Sequence, residues 1–258
     1  VGLIKPGLIA TFLLELAFGV AIVVLISRAR TGRKVPAIRK VAGLDALDEA
    51  IGRATEMGAT VHFSPGIGDV SNAQTLAAFA ILTHVAKMCA KYDTRLIQTN
   101  RNNVVYSITE EVVKQAYVDS GKADAFNPDD VRFISEDQFG YASGVCGIMN
   151  REKVRANILI GAFWAESLIF AEVGAQVGSI QIAGTANTHQ IPFFIAACDY
   201  ALLGEEIYAA SAYLSREPVL IGCLIAQDWG KMIGVILILV GAISVTAGST
   251  WLNTLLNK

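Results

Sequence analysis

Apolar residues in this sequence fall into long unbroken runs at the two ends and short or periodic groups between them. The first run, Gly7 to Ser27, reads GLIATFLLELAFGVAIVVLIS, and thirteen of its positions are Leu, Ile, Val or Phe. As a helix it reaches roughly 31 Å, close to the hydrocarbon thickness of a bilayer. Its apolar side chains favour insertion by on the order of 4–8 kcal/mol, whereas Glu15 opposes it by about 2.5–3.5 kcal/mol. The run is therefore predicted to span. Its positive charge follows the apolar stretch, and no small-residue cleavage site ends it, so a retained helix is favoured over a cleaved leader. A second run, Met232 to Leu256, follows Lys231 and meets no charge until Lys258. Trp229 and Trp251 lie roughly 33 Å apart on a helix, a spacing that suits rings at two membrane interfaces.

Between the runs the pattern changes. Leu44, Leu47, Ile51 and Ala54 recur at helical spacing until Gly58. Residues 59–64 read as a strand ending at Pro65-Gly66, and 72–92 as a helix so apolar that it must be covered on more than one side. A strand at 94–99 follows. Ser107 and Glu110 make a capping box for a helix to Ser120. The spacing then predicts a strand at 131–135, a helix at 141–152, a buried strand at 156–162, a helix at 165–177 and a strand at 179–184. Pro192 opens a helix running to Ser215, broken near Gly204. Strands that alternate with helices and are too apolar to be half exposed predict a doubly wound, mainly parallel, Rossmann-like α/β sandwich. The expected domains are a transmembrane helix at 1–28, a basic linker at 29–43, the α/β body at 44–228 and a second transmembrane helix at 229–258.

Charge supplies the orientation. Arg28, Arg30, Arg33, Lys34, Arg39 and Lys40 crowd one end of the first span and Lys231 opens the second, against Lys5 and Lys258 on the far side. The positive-inside rule then places the body in the cytoplasm and both termini outside. Formal net charge is −2, which argues against general nucleic-acid binding. The basic run reads instead as a contact with anionic lipid. Hydrophobic content of 53% exceeds what a soluble domain of this size needs. Cys89, Cys146, Cys198 and Cys223 show no metal spacing and read as small buried hydrophobes.

Ligands of open α/β sheets collect beyond the carboxyl ends of the strands. The expected loops there carry Ser64, Asp69, Asn100, Asn102, Glu136, Asp137, Ser143, Glu166, Thr185, Asn187 and His189. Such residues suit a pocket for a small polar ligand, and equally suit helix caps and turns. GIGDVS lacks the third glycine and the distant acid of a dinucleotide loop. The chain holds no GxxxxGK[ST], HExxH or GxSxG motif, and the sequence leaves any cofactor unknown. Glu166 and Glu172, in an apolar helix, read first as groups at a subunit interface, with solvent-facing helix ends or functional acids shifted by burial as the alternatives. Glu15 reads as an inter-subunit hydrogen-bonding group, and Gly19, Gly230 and Gly234 as sites of close helix contact.

Four runs together, HFSPGIGDV (62–70), RLIQTNRNN (95–103), EDQFGYASGVCGIMNREK (136–153) and AGTANTHQIPFFIAACDYALLGEEIYAASAYLS (183–215), resemble a prokaryotic family of membrane-anchored proteins known only as a domain of unknown function. The resemblance implies a cytoplasmic α/β body with transmembrane anchors. It brings no reaction, substrate or catalytic residue.

Two functions remain open at this stage. One is a scaffold that forms homo-oligomers in the bilayer, alone or with other membrane subunits. The other is a small-molecule or nucleotide-binding sensor or enzyme using the strand-end rim. The orientation is directly testable: a tag inserted near Lys122 should resist protease added to intact cells and be cut once the cells are opened.

Overall fold

The computed structural model describes residues 9–31 and 42–248. Expectations resting on Lys5, Arg33, Lys34, Arg39, Lys40, Trp251 and Lys258 lie outside the described residues. The elements in chain order are α1 (Ile9–Arg30), α2 (Ala42–Glu56), β1 (Thr60–Gly66), α3 (Ala73–Lys91), β2 (Leu96–Asn100) and α4 (Asn103–Asp119). Then come β3 (Val131–Phe133), α5 (Gln138–Arg151), β4 (Val154–Ala162), α6 (Glu166–Gln176), β5 (Ile180–Thr185), α7 (Ile191–Ala197), β6 (Tyr200–Leu203), α8 (Glu206–Ser215) and α9 (Pro218–Thr246). They form two compact units, residues 39–215 and residues 1–38 with 216–258.

The body is a six-stranded sheet in the order β3-β2-β1-β4-β5-β6, with every pair parallel. This is the doubly wound, Rossmann-like order, and its direction of winding reverses between β1 and β4. Alternation along β4 divides the core. Ile158 and Ile160 join α2, α3, α4 and α8 on one face, while Leu159 joins Tyr141 and Met149 of α5, Phe170 of α6 and Phe194 of α7 on the other. Helix α3 packs on β1 and β4 and also against α4 and α8, which explains its broad apolar girth. Burying Ile81, Leu82 and Val85 there contributes about 1.5–3 kcal/mol each.

Three local expectations are corrected. Helix α4 begins at Asn103, not near Ser107, because Asn102 Oδ1 accepts from the backbone N–H groups of Val104 (2.9 Å) and Val105 (3.1 Å). Ser107 lies inside that helix and its hydroxyl turns back to the Asn103 carbonyl. Strand β1 does not stop before Pro65. Its pairing with β2 ends at Phe63, so the N–H that proline lacks is not needed on that side. The stretch from Pro192 to Ser215, expected as a helix broken near Gly204, contains the edge strand β6, four residues too short to show a period.

Beyond Pro65 the two central strands draw very close. Gly66 pairs with Ala162 after a register shift, and the Ile67 N–H donates to the Ala162 carbonyl at 2.8 Å. A Cβ on Gly161, at φ 146°, would sit 2.0 Å from the Pro65 carbonyl oxygen.

In the other unit, α1 and α9 run antiparallel, with Gly222 against Ile26 and Gly230 against Phe18. A Cβ at Gly222 would stand 2.8 Å from the Ile26 backbone, and Ala226, midway between the two glycines, is buried. Gly222, Ala226 and Gly230, four residues apart, form a small-residue seam that lets the helices approach. Gly19 and Gly234 have open space where a side chain would be. Glu15 and Cys223 are exposed on their helices, so Cys223 departs from the expected buried role. Helix α9 runs unbroken through Trp229.

Among the described residues, three helices are long and apolar enough to cross a membrane: Thr11–Arg30, Ala73–Lys91 and Pro218–Thr246. The middle one is α3, and more than half of it is buried inside the body.

Two glycine substitutions should part in sign. Gly161→Ala is expected to cost on the order of 3 kcal/mol or more, since both the backbone angle and the space forbid a side chain. Gly52→Ala, in α2 with nothing within 4 Å, should gain about 0.5–1 kcal/mol. Urea unfolding of the full chain in mild detergent, followed by circular dichroism, measures both.

Candidate functional site

Parallel strands send all their carboxyl ends to one edge, and the winding reversal puts the β1–α3 and β4–α6 connections side by side there. The first reads Ile67-Gly68-Asp69-Val70-Ser71-Asn72 and closes on α3, where Asn72 caps by accepting from the Gln74 N–H. The second is Phe163-Trp164-Ala165 and enters α6 at Glu166.

Most of the polar side chains expected at this edge are committed to the protein itself. Ser64 is buried in β1, 2.7 Å from the Tyr141 hydroxyl, and accepts from the Gly66 N–H. Asn100 is buried in β2 and exchanges hydrogen bonds with Gln98 on the face packed by Thr109 of α4. Asn102 and Asp137 are helix caps, Asp137 accepting from the Gly140 N–H at 2.6 Å. Ser143 lies exposed on α5 rather than in a loop. Asp69 accepts from the Ser71 N–H and hydroxyl, which hold its carboxyl below the usual carboxylate range.

Two clusters do cross between connections. Gln74, in the first turn of α3, accepts from the Ala186 N–H (2.7 Å) and the Thr185 hydroxyl, and donates to Asn187 Oδ1 at 2.9 Å. Asn187 in turn donates to the Phe163 carbonyl at 2.8 Å. This ties the loops after β1, β4 and β5 together. Beside it, Glu166 is fully buried within its own chain, accepting from the Trp164 N–H (2.8 Å) and from Gln138 Nε2 (2.5 Å). It is an internal group, while Glu172 is exposed on α6. His189 is exposed and lines a shallow pocket of about 190 Å³ with Phe163, Trp164, Asn187 and Gln190. A second pocket, of about 240 Å³, opens at the opposite edge, around Cys89, Tyr117, Phe126 and Asp130.

Beneath the rim, a polar row crosses the sheet. Gln181 accepts from Asn157 Nδ2 at 3.1 Å, Asn157 Oδ1 meets His62 Nδ1 at 2.8 Å, and His62 Nε2 meets the Thr99 hydroxyl at 2.9 Å. Thr99 continues to Tyr141 at 3.3 Å, and Tyr141 to Ser64. Burial pushes the His62 imidazole down to about 4, against the pull of its Asn157 hydrogen bond. It also pushes the Tyr141 phenol up to about 12, opposed by its Ser64 and Thr99 hydrogen bonds, with Glu166 raising and Arg101 lowering it.

Sequence reasoning passed over Gln74, Gln138, Tyr141, Thr75 and Arg101. Arg101 is the cation within the Asn-rich turn after β2. Its Nη1 donates weakly to the Ile67 carbonyl at 3.4 Å, and its Nε is buried without a partner.

The family model of a domain of unknown function, DUF6754, matches residues 3–256. The chain belongs to the DUF6754 family. The DUF6754 match runs through both terminal helices as well as the body. No curated protein and no solved structure matches significantly. Among the described residues, no group of three or more His, Cys, Asp or Glu side chains could hold a metal ion.

His62 gives the body a pH signature. The unfolded imidazole takes a proton near pH 6.5, the folded one only near 4, so the unfolded chain binds more protons between those values. The His62 contribution to stability is complete above pH 6.5 and should fall by about 3 kcal/mol as pH drops to 4. Urea unfolding of the full chain across that range should show this slope, and His62→Gln should flatten it.

Proposed function

We propose that this chain is a membrane-anchored assembly protein that associates with further copies of itself through its α/β body and its apolar helices. One observation carries the reading. Six large apolar side chains, each from a segment that follows a strand, stand exposed at the carboxyl edge of the sheet: Leu76, Val104, Phe139, Trp164, Leu168 and Phe193. Exposure of large apolar groups concentrated at one edge favours a protein interface. Most of the polar groups below them are tied up internally, which favours contact over turnover.

The apolar helices support the same reading. Glu15 on the surface of α1, with Gly19 one turn further and Gly234 open on α9, suits a neighbouring hairpin that supplies a hydrogen-bond partner. In this reading α1 and α9 are the two spans, the body faces the cytoplasm, and Arg28 and Arg30 mark the inner side. The bilayer is the first partner, and other membrane subunits are compatible with the same surfaces.

A second reading, a sensor or enzyme that binds a small molecule or nucleotide at the rim, is favoured by Arg101 and Thr75, whose Nε and Oγ1 are buried without a partner.

Mass photometry of the full chain in mild detergent decides the first reading. A particle at a multiple of 27.5 kDa after allowance for detergent is expected. Trp164→Asp combined with Leu168→Asp should lower that mass, and Glu15→Leu should weaken the association. A wild-type chain that stays monomeric at all concentrations sinks the proposal.

A further inference from the structure

Arg101 and Thr75 meet the same two residues of the β1–α3 connection from different elements. Arg101 Nη1 contacts the Ile67 carbonyl, and the Thr75 hydroxyl faces Gly68 so closely that a Cβ there would lie 2.5 Å from it. Both carry buried polar atoms without a hydrogen-bond partner, Arg101 Nε and Thr75 Oγ1, and Thr75 is fully buried. Orphaned buried donors are rare because each one forfeits its hydration without regaining a hydrogen bond. Two of them flanking one dipeptide, at the winding reversal of a doubly wound sheet, is where this fold admits ligands.

The charges around them are uneven in a telling way. Among the described residues Arg101 has no carboxylate within ion-pair distance, whereas Arg95 and Arg132 at the opposite edge share Asp130 and Glu152. Two acids of the same edge are already engaged, Asp69 by Ser71 and Glu166 by Gln138 and the Trp164 N–H. A guanidinium so placed, with a hydroxyl across the same turn and the start of α3 behind it, fits an oxyanion.

We infer that Arg101 and Thr75, on either side of the Ile67–Gly68 turn, form a binding site for a phosphoryl group, held by Arg101 as the counter-charge and by the Thr75 hydroxyl as a neutral donor. Admission of the group requires Gly68 to shift off Thr75. The site rests on the rim-ligand reading and gives it a ligand class, a phosphorylated small molecule. It is independent of self-association, since neither residue belongs to the exposed apolar set.

The test uses the full chain in mild detergent with inorganic phosphate, and sodium chloride of matched ionic strength as the control. Phosphate should raise the thermal midpoint of the wild type above the chloride control, with saturation. Arg101→Gln should weaken phosphate about tenfold or more, Arg101→Lys less, and Thr75→Val about threefold. Circular dichroism and gel filtration establish that each variant is folded, and Arg101→Lys keeps the comparison if Arg101→Gln is not. Phosphate binding that is unchanged in Arg101→Gln overturns the site. Unchanged binding in Thr75→Val overturns the role given to its hydroxyl. A nucleoside diphosphate that binds with no dependence on Arg101 sinks this site but keeps the rim reading, and no response to either probe sinks both.

Discussion

Two parallel strands cannot be joined by a tight turn, and that limit governs this body. Each crossover must carry the chain back over a face of the sheet, so helices cover both faces and the strands between them must be apolar on both sides. The same limit sends every strand end to one edge. The loops that follow β1 to β5 and the six exposed apolar side chains share that edge for one reason: the sheet has no antiparallel pair to send any of them elsewhere.

Interior polarity follows a related logic. His62, Asn157 and Gln181 occupy matching positions on β1, β4 and β5, where a neighbour on the adjacent strand lies within hydrogen-bond reach. Each lone polar side chain in such a sheet would be costly, and the row is tolerable because its members satisfy one another. Removing one member would leave its neighbours unpaired, so the row behaves as a unit. It also favours one alignment of the central strands, since a slip of one residue would turn His62 into the opposite, apolar core.

The alternation of strand and helix was legible in the sequence because each element from α2 to β5 is bounded by a glycine, a cap or a change of period. Strand β6 was not, since YALL has no alternation and sits between two helical stretches. The start of α4 was misplaced because two capping patterns stand five residues apart, and Ser107 has the better-known spacing while Asn102 has the hydrogen bonds. The site was harder to read. Ser64, Asn100 and Thr185 have the residue types of a ligand pocket, yet strand direction turns them into the interior, a fact available only once register is known. Arg101 stood in plain view among three asparagines; what marks it is the lack of a counter-charge, which depends on where distant acids settle.

The seam between α1 and α9 bears on how the chain is made. Ile26 and Gly222 touch, yet the entire body lies between them in the polypeptide. A ribosome therefore releases α1 long before its mate exists, and the closing of that hairpin is among the last contacts the nascent chain can form. Until then the apolar flank of α1 that will meet glycine must be shielded by something else, a lipid, a chaperone or a sister chain. The body, complete in sequence before α9 emerges, is free to fold first.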